Sequence, residues 1–347
     1  MKRILFFLLA ICLQPFPATC QLVPVAGVEK LKKSYSGQVE WDEAGQTLKF
    51  ITSGMLRFAD RQDFKESYWG VPPEIKKIVI GKNVTVVGHF HVRNTLEVSG
   101  EDRKTSKVYG TPISELLRQH QLDARGGTVP YSAFFGVGDF ELHINNLTSL
   151  NPIGFHFTGK EGCVIHLENV DAIDDRGGWH NHSDGISAAG GSTVKNCFFS
   201  SGDDIIKVYQ DIYVENTTIE MIQNCVPIQF GWGSYGSGAR GKFKNLVIKG
   251  DKGRPDTGNA IIDARRGTYD KELEFDGLVI DAPNSVFINF WNENTDGSIG
   301  GGFAKISVDH ADIKVQHFSK RWNMEARVRI CGEEYDKTST QNQVKCD

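Results

Sequence analysis

From about residue 75 onward, short runs of alternating apolar and polar residues are separated by Gly, Asn and Asp, and no long segment repeats its apolar positions every 3.6 residues. The series starts with Lys77-Ile78-Val79-Ile80 and Val84-Thr85-Val86-Val87. A recurring unit follows, in which an apolar-x-apolar strand runs into Asn and a further apolar residue: Leu142-His143-Ile144-Asn145-Asn146-Leu147, then Ile165-His166-Leu167-Glu168-Asn169-Val170. Related pieces end at Asn196, Asn216, Asn245 and Gly277, so the markers are 23, 27, 20, 29 and 32 residues apart.

Repeats of this length, made of short strands and little helix, predict a solenoid in which each coil buries its inward residues on its neighbours. The spacing is too irregular for leucine-rich units, and Trp-Asp, the signature of propeller blades, does not recur along the chain. The predicted fold is therefore all-β, a right-handed parallel β-helix over residues 71–347 with a C-terminal tail. The Asn residues should stack at a turn and bond through their side-chain amides to each other and to backbone, a structural role that suits Asn. Residues 21–70 read as a small N-terminal β cap, and Pro112 to Gln121 as one short helix. No linker rich in Pro, Gly or Ser divides the chain.

Charge and composition narrow the functional classes. The 39 Lys+Arg and 43 Asp+Glu give a formal net charge of -4, without the basic surface that nucleic-acid binding requires. Residues 1–20 read as a secretory signal peptide: Lys2-Arg3, an apolar run from Ile4 to Leu13, and Ala18-Thr19-Cys20 before Gln21. No apolar run is long enough for a membrane span. The expected location is periplasmic or extracellular, with acylation of Cys20 and a lipid anchor as the rival outcome.

Removal of the leader would leave Cys163, Cys197, Cys225, Cys331 and Cys346, an odd number that implies a free thiol. Cys331 and Cys346 flank a polar loop and can staple the tail of an exported chain. The other three lie in apolar contexts and read as buried small hydrophobes. No cysteine pair has zinc-finger spacing, so no metal is expected.

Candidate chemistry is densest between Trp179 and Trp232. Asp184 and Asp203 are 19 residues apart, close to the shortest repeat, which puts them on adjacent coils. Coils stack about 4.8 Å apart, so Asp184, Asp203 and Asp204 would form one carboxylate cluster. Both members of the Asp203-Asp204 pair reach solvent only if Gly202 bends the chain, since neighbours in a strand face opposite ways; Ile205 to Tyr209 would then be the strand proper. Crowded carboxylates resist joint ionisation, leaving a protonated acid beside an ionised base, as glycosidic hydrolysis requires. Taken singly, Asp-Gly and Asp-Asp are also ordinary turn residues, and three carboxylates also suit calcium. Asp174-Asp175 reads as a turn cap.

Lys207 is either a ligand for a sugar hydroxyl, a group that lowers a carboxylate pKa, or a solvated lysine. His180 and His182 share one strand parity just ahead of Asp184, as candidate substrate contacts or turn residues. Phe230 and Trp232 offer flat surfaces for sugar rings. Arg265, Arg266 and Trp291 fall on later coils by repeat spacing alone.

The run Ser183-Asp184-Gly185, Gly191-Ser192-Thr193-Val194, Asp203-Asp204-Ile205-Ile206-Lys207-Val208-Tyr209 and Pro227-Ile228-Gln229-Phe230-Gly231-Trp232 resembles the dextranase and isopullulanase family, glycoside hydrolase family 49. The resemblance is specific over roughly residues 180–235 and weaker elsewhere. It implies a right-handed parallel β-helix and an inverting endo-hydrolase of α-glucans such as dextran or pullulan. By it, Asp203 looks like the general acid, Asp184 and Asp204 look like the carboxylates that activate water, and Gln229 and Trp232 look like substrate-binding positions; Lys207 and Tyr209, beside the aspartates, are the further candidate substrate contacts. The family also resembles two-domain proteins with a β-sandwich before the helix, for which residues 21–70 leave too little chain.

The expected partner is a polysaccharide bound by a monomer, with no nucleic acid, no membrane span and no cofactor. The nearest rival is a polygalacturonase-like hydrolase, whose Gly-His-Gly and Arg-Ile-Lys motifs are absent here. A polysaccharide lyase would use calcium and a basic residue, and a non-catalytic β-helix would bind glycans through aromatic residues.

Overall fold

The computed structural model describes residues 25–58, 67–110, 132–152, 154–176, 183–222, 225–232, 238–250, 260–265, 269–291 and 301–347, with the side chains of Gly231, Trp232, Arg265, Tyr269 and Trp291 excepted. The expected signal peptide and the short helix from Pro112 lie outside the described residues.

The chain winds as a parallel β-helix whose coils present three faces. On the first face, strands Thr47–Phe50, Lys77–Ile80, Leu96–Gly100, Glu141–Asn145, Val164–Glu168 and Ser192–Lys195 pair in parallel, one coil on the next. The second face stacks Gly54–Met55, Thr85–Val87, Lys107–Tyr109, Thr148–Leu150, Asp171–Ile173 and Phe198–Ser200. The third stacks Tyr68–Gly70, His89–Val92, Ser132–Val137, Phe155–Lys160, Ile186–Ser187, Asp204–Lys207, Val226–Trp232 and Ala260–Arg265. From Ile212 onward the first two faces are joined in longer strands, Ile212–Met221 and Ala239–Gly250, and then Tyr269–Trp291 and Gly302–Trp322 span all three.

Alternation supplies the core, because every second residue of a strand points inward. On the third face the inward column runs Trp69, Phe90, Phe134, Phe157, Ile186, Ile206, Ile228, Ile262 and Ile288, all with no exposed surface. Its rings stack directly, Phe90 on Phe134 at 5.3 Å and Phe134 on Phe157 at 5.8 Å. Successive register offsets on the first face equal the Asn spacing: His143 pairs with His166, Val194 with Val214, and Val214 with Phe243.

Five successive corners of the first face take one residue in the left-handed region, and Asn146, Asn169, Asn196, Asn216 and Asn245 supply it with φ between 48° and 55°. Asn tolerates this conformation better than other side-chain-bearing residues. Their amides form the expected ladder, Asn169 donating to Asn146 at 2.7 Å, Asn216 to Asn196 at 3.2 Å and Asn245 to Asn216 at 2.9 Å. Asn146 donates to the Gly100 carbonyl at 2.7 Å, which continues the ladder onto backbone.

At the N-terminal end, strand Val39–Asp42 pairs antiparallel with Thr47–Phe50. A short α-helix, Val28–Ser34, precedes it with Leu31 buried, where the sequence reading had only strands. At the other end, Gln343–Cys346 returns antiparallel on Gly302–Trp322, and Cys331 and Cys346 form a disulfide as expected. Cys163, Cys197 and Cys225 are buried in the core. Burial pushes the thiols of Cys163 and Cys197 up to about 12, which keeps them unreactive. No helix among the described residues is long and apolar enough to cross a membrane.

Candidate active site

The aspartates meet at the corner that leads into the third face. Ser183 to Gly185 lead into strand Ile186–Ser187, and the next coil bends at Gly202 and Asp203 before strand Asp204–Lys207. Ile186 is the register partner of Ile206, and the Gly185 amide donates to the Asp204 carbonyl at 2.8 Å. Asp184 therefore lies beside Asp204 on adjacent coils. Gly185 is required for this approach, since a Cβ there would lie 2.4 Å from the Ile205 carbonyl oxygen.

The bend separates the two consecutive aspartates. Asp204 enters the strand and is buried, whereas Asp203 stays outside it and is half-buried. The strand ends at Lys207, so Val208 and Tyr209 belong to the following turn rather than to the strand expected to reach them. There the Tyr209 hydroxyl donates to Gln229 Oε1 on the next coil at 3.0 Å.

Lys207 holds the cluster together. Its ammonium pairs with Asp184 Oδ2 and lies 3.6 Å from Asp204 Oδ2. It also sits 4.7 Å from the centre of the Phe155 ring and 5.8 Å from that of Tyr209. Its side chain is only 8% exposed, which removes the solvated-lysine reading. Burial pushes the Asp184 carboxyl well above its ordinary value, and the charges of Asp203 and Asp204 add to the shift while Lys207 opposes it. Burial by itself would lower Lys207, but Asp184, Tyr209 and Asp204 outweigh it and hold the ammonium charged. The result is a buried Asp184 carboxyl beside two further aspartates and one fixed cation, and it retains its proton more readily than an isolated aspartate does. The ammonium also stands where a calcium ion would have to bridge Asp184 and Asp204.

Beneath the aspartates lies a buried polar network that sequence reasoning missed. His156 Nδ1 is 2.8 Å from Ser149 Oγ, and its Nε2 is 3.1 Å from Ser201 Oγ two coils on. Ser201 Oγ is 2.9 Å from Ser183 Oγ, which in turn accepts from the Gly202 amide at 3.0 Å. Ser183 precedes Asp184 and Gly202 precedes Asp203, so this network fixes both aspartate-bearing turns. Burial, aided by the Arg176 charge, lowers His156 to about 3 against the pull of Asp174, leaving a neutral ring. The repeated Ser at 183 and 201 was a visible signal; a lone His at 156 was not.

Asp174 and Asp175 serve this corner structurally. Arg176 grips Asp174 through Nε at 2.9 Å and Nη2 at 2.5 Å, and Asn151 donates to Asp175 at 2.7 Å. Burial would raise Asp174, but the Arg176 guanidinium holds it below the ordinary value.

The other candidates are placed as follows. Gln229 is the register partner of Lys207, Asp263 of Gln229 and Asn289 of Asp263, which makes a buried polar column running away from the aspartates. Asp263 and Asn289 carry no sequence signal, because their alignment depends on register. Trp232 pairs with Arg265, and Arg265 with Trp291, so their backbones form one line across successive coils. His180, His182 and Arg266 lie outside the described residues. Phe230 is a correction: it shares inward parity with Ile228, has no exposed surface and stacks on Phe290 at 5.9 Å, so it is core and not a platform for sugars.

No protein-family model matches the chain. Its fold is similar to the structure of Dex49A from Penicillium minioluteum, with a TM-score of 0.49 and 14% identity over 81% of this chain and 63% of that one. In sequence the chain is similar to dextranases from Arthrobacter sp. (strain CB-8) and Arthrobacter globiformis, at 33% and 31% identity over 118 residues. That stretch covers 33% of this chain and 15% of each of those enzymes.

Proposed function

We propose that the protein is an exported glycoside hydrolase that cleaves within an α-glucan, dextran before pullulan, with inversion at the anomeric carbon. The observation that carries this reading is the pair Asp184 and Asp204, brought together around Lys207 from adjacent coils, with Asp203 close enough for its charge to act on Asp184. The name of the Arthrobacter relatives supports the substrate class. The Cys331–Cys346 disulfide suits an oxidising compartment outside the cytoplasm.

The proposed reaction draws one proton from this cluster. Asp203, the least buried of the three, delivers it to the leaving glycosidic oxygen. Asp184 and Asp204, held by Lys207, take a proton from the water that attacks the opposite face of the sugar. Tyr209, fixed by Gln229, borders the cluster as a contact for the substrate. His180, His182 and Trp232 are the remaining proposed contacts.

The test is release of reducing ends by the mature chain from dextran, pullulan and polygalacturonate. Release from dextran or pullulan, abolished in Asp203→Asn, supports the proposal. Release from polygalacturonate alone would replace the substrate class, and saturable glycan binding without cleavage would replace the enzyme by a binding protein.

A further inference from the structure

Two consecutive coils place Glu141, His143 and His166 together on the first face, away from the aspartate cluster. His143 and His166 are register partners, and their rings stack with centres 4.8 Å apart and planes 21° from parallel. Glu141 lies two residues before His143, hence on the same side of the strand, and its Oε2 is 3.1 Å from His143 Nε2. One donor atom from each of the three residues lies within 4.8 Å of the other two.

We infer that Glu141, His143 and His166 form a binding site for a zinc ion, which clips one coil of the helix to the next. Two imidazoles and one carboxylate make a donor set of borderline softness, suited to zinc and its late-transition neighbours rather than to calcium or magnesium. Thr193 Oγ1 lies 3.0 Å from His166 Nδ1, which orients the ring and leaves Nε2 for the ion. The backbone beneath is rigid, because Leu142, Ile144, Ile165 and Leu167 alternate with the ligands and are buried.

A bound zinc with bonds of about 2.0–2.2 Å draws its donors to roughly 3.3 Å from one another. The side chains of Glu141 and His143 are 58% and 43% exposed, so they can rotate through the remaining distance without disturbing the core. The fourth tetrahedral position falls to water. Glu97, the next register partner of His143, is tied to Lys77 at 2.8 Å and is not needed as a ligand.

The experiment uses the full mature chain free of any histidine tag, titrated with zinc chloride by calorimetry and followed by thermal unfolding. The expected result is one zinc per chain, an upward shift of several degrees in Tm at saturation, and no shift with magnesium. Affinity should fall at least about 10-fold in His143→Asn, in His166→Asn and in Glu141→Gln. X-ray absorption of the zinc-bound chain should report two imidazoles. Absence of saturable binding overturns the inference, as does binding of unchanged affinity in both histidine variants. Far-UV circular dichroism shows that each variant is folded, and the exposed Glu141→Gln keeps the test open if a histidine variant is not. Hydrolytic activity is not a readout, so failure here leaves the proposed function untouched.

Discussion

The ammonium of Lys207 is paired with the carboxylate of Asp184 from the preceding coil, and both side chains are more than nine-tenths buried. A buried pair of this kind adds little stability relative to a hydrophobic pair, yet removing one partner strands the other. Lys207→Met should therefore cost about 3–5 kcal/mol at neutral pH. With its partner lost, Asp184 moves further above the ordinary 3.8, so the folded state binds a proton more tightly than the unfolded chain. Stability is then regained at low pH and lost as pH rises through the folded-state value. Denaturant unfolding at two pH values should show the deficit widening with pH.

Activity should respond to the same substitution. The Lys207 charge favours ionised carboxylates, so its removal raises their pKa values. The acidic limb of kcat/KM for glucan hydrolysis in Lys207→Met should move to higher pH. An unmoved limb would mean that the ammonium does not act on the ionising groups.

Ser201 joins His156 to Ser183 beneath both aspartate turns. Ser201→Ala should cost about 1–3 kcal/mol, because it leaves buried groups without partners. If the network positions Asp203 for proton delivery, the variant should lose kcat with little change in KM. His156 adds a stability signature. Its folded value of about 3 lies below the ordinary 6.5, so its contribution is full above 6.5 and is lost as pH falls toward 3. His156→Gln should flatten the decline of stability across that window.

The Asn corners were legible in the sequence because a ladder needs one residue type at the spacing of the coils, and the offsets between Asn146, Asn169, Asn196, Asn216 and Asn245 are the observed registers. The meeting of Asp184 with Asp203 and Asp204 followed from the same arithmetic. The helix Val28–Ser34 was not legible, because seven residues with Val28 and Leu31 buried are too few to show a 3.6-residue period. Phe230 was misread for its neighbours Gln229 and Trp232, although alternation from Ile228 points it inward. His156 and the Glu141, His143 and His166 group depend on which residues face each other across coils, and that is set by register and corner geometry rather than by local pattern.

The left-handed corners can be tested apart from their hydrogen bonds. Asn169 has φ 55° and donates to Asn146. Its Oδ1 also accepts from Arg103 Nη1 at 2.7 Å, so Asn169→Ala should cost about 3–5 kcal/mol, combining backbone strain of about 1–2 with the loss of one neutral and one charge-assisted hydrogen bond. Asn169→Gly loses both hydrogen bonds and keeps the conformation, so it should cost less than Ala.

Cys331 and Cys346 close a loop of 15 residues. Cys346→Ser should lower stability by about 3 kcal/mol through the freedom regained by the unfolded chain. A reductant should reproduce the loss in the parent chain and have little effect on the variant.

The most direct measurement is proton NMR of the first product released from dextran by the parent chain and by Asp203→Asn. Cleavage by the parent that first yields the β-anomer from an α-linkage, with no release by the variant, is the predicted result. An initial α-anomer would contradict inversion, and undiminished release by Asp203→Asn would contradict the assignment of the proton donor.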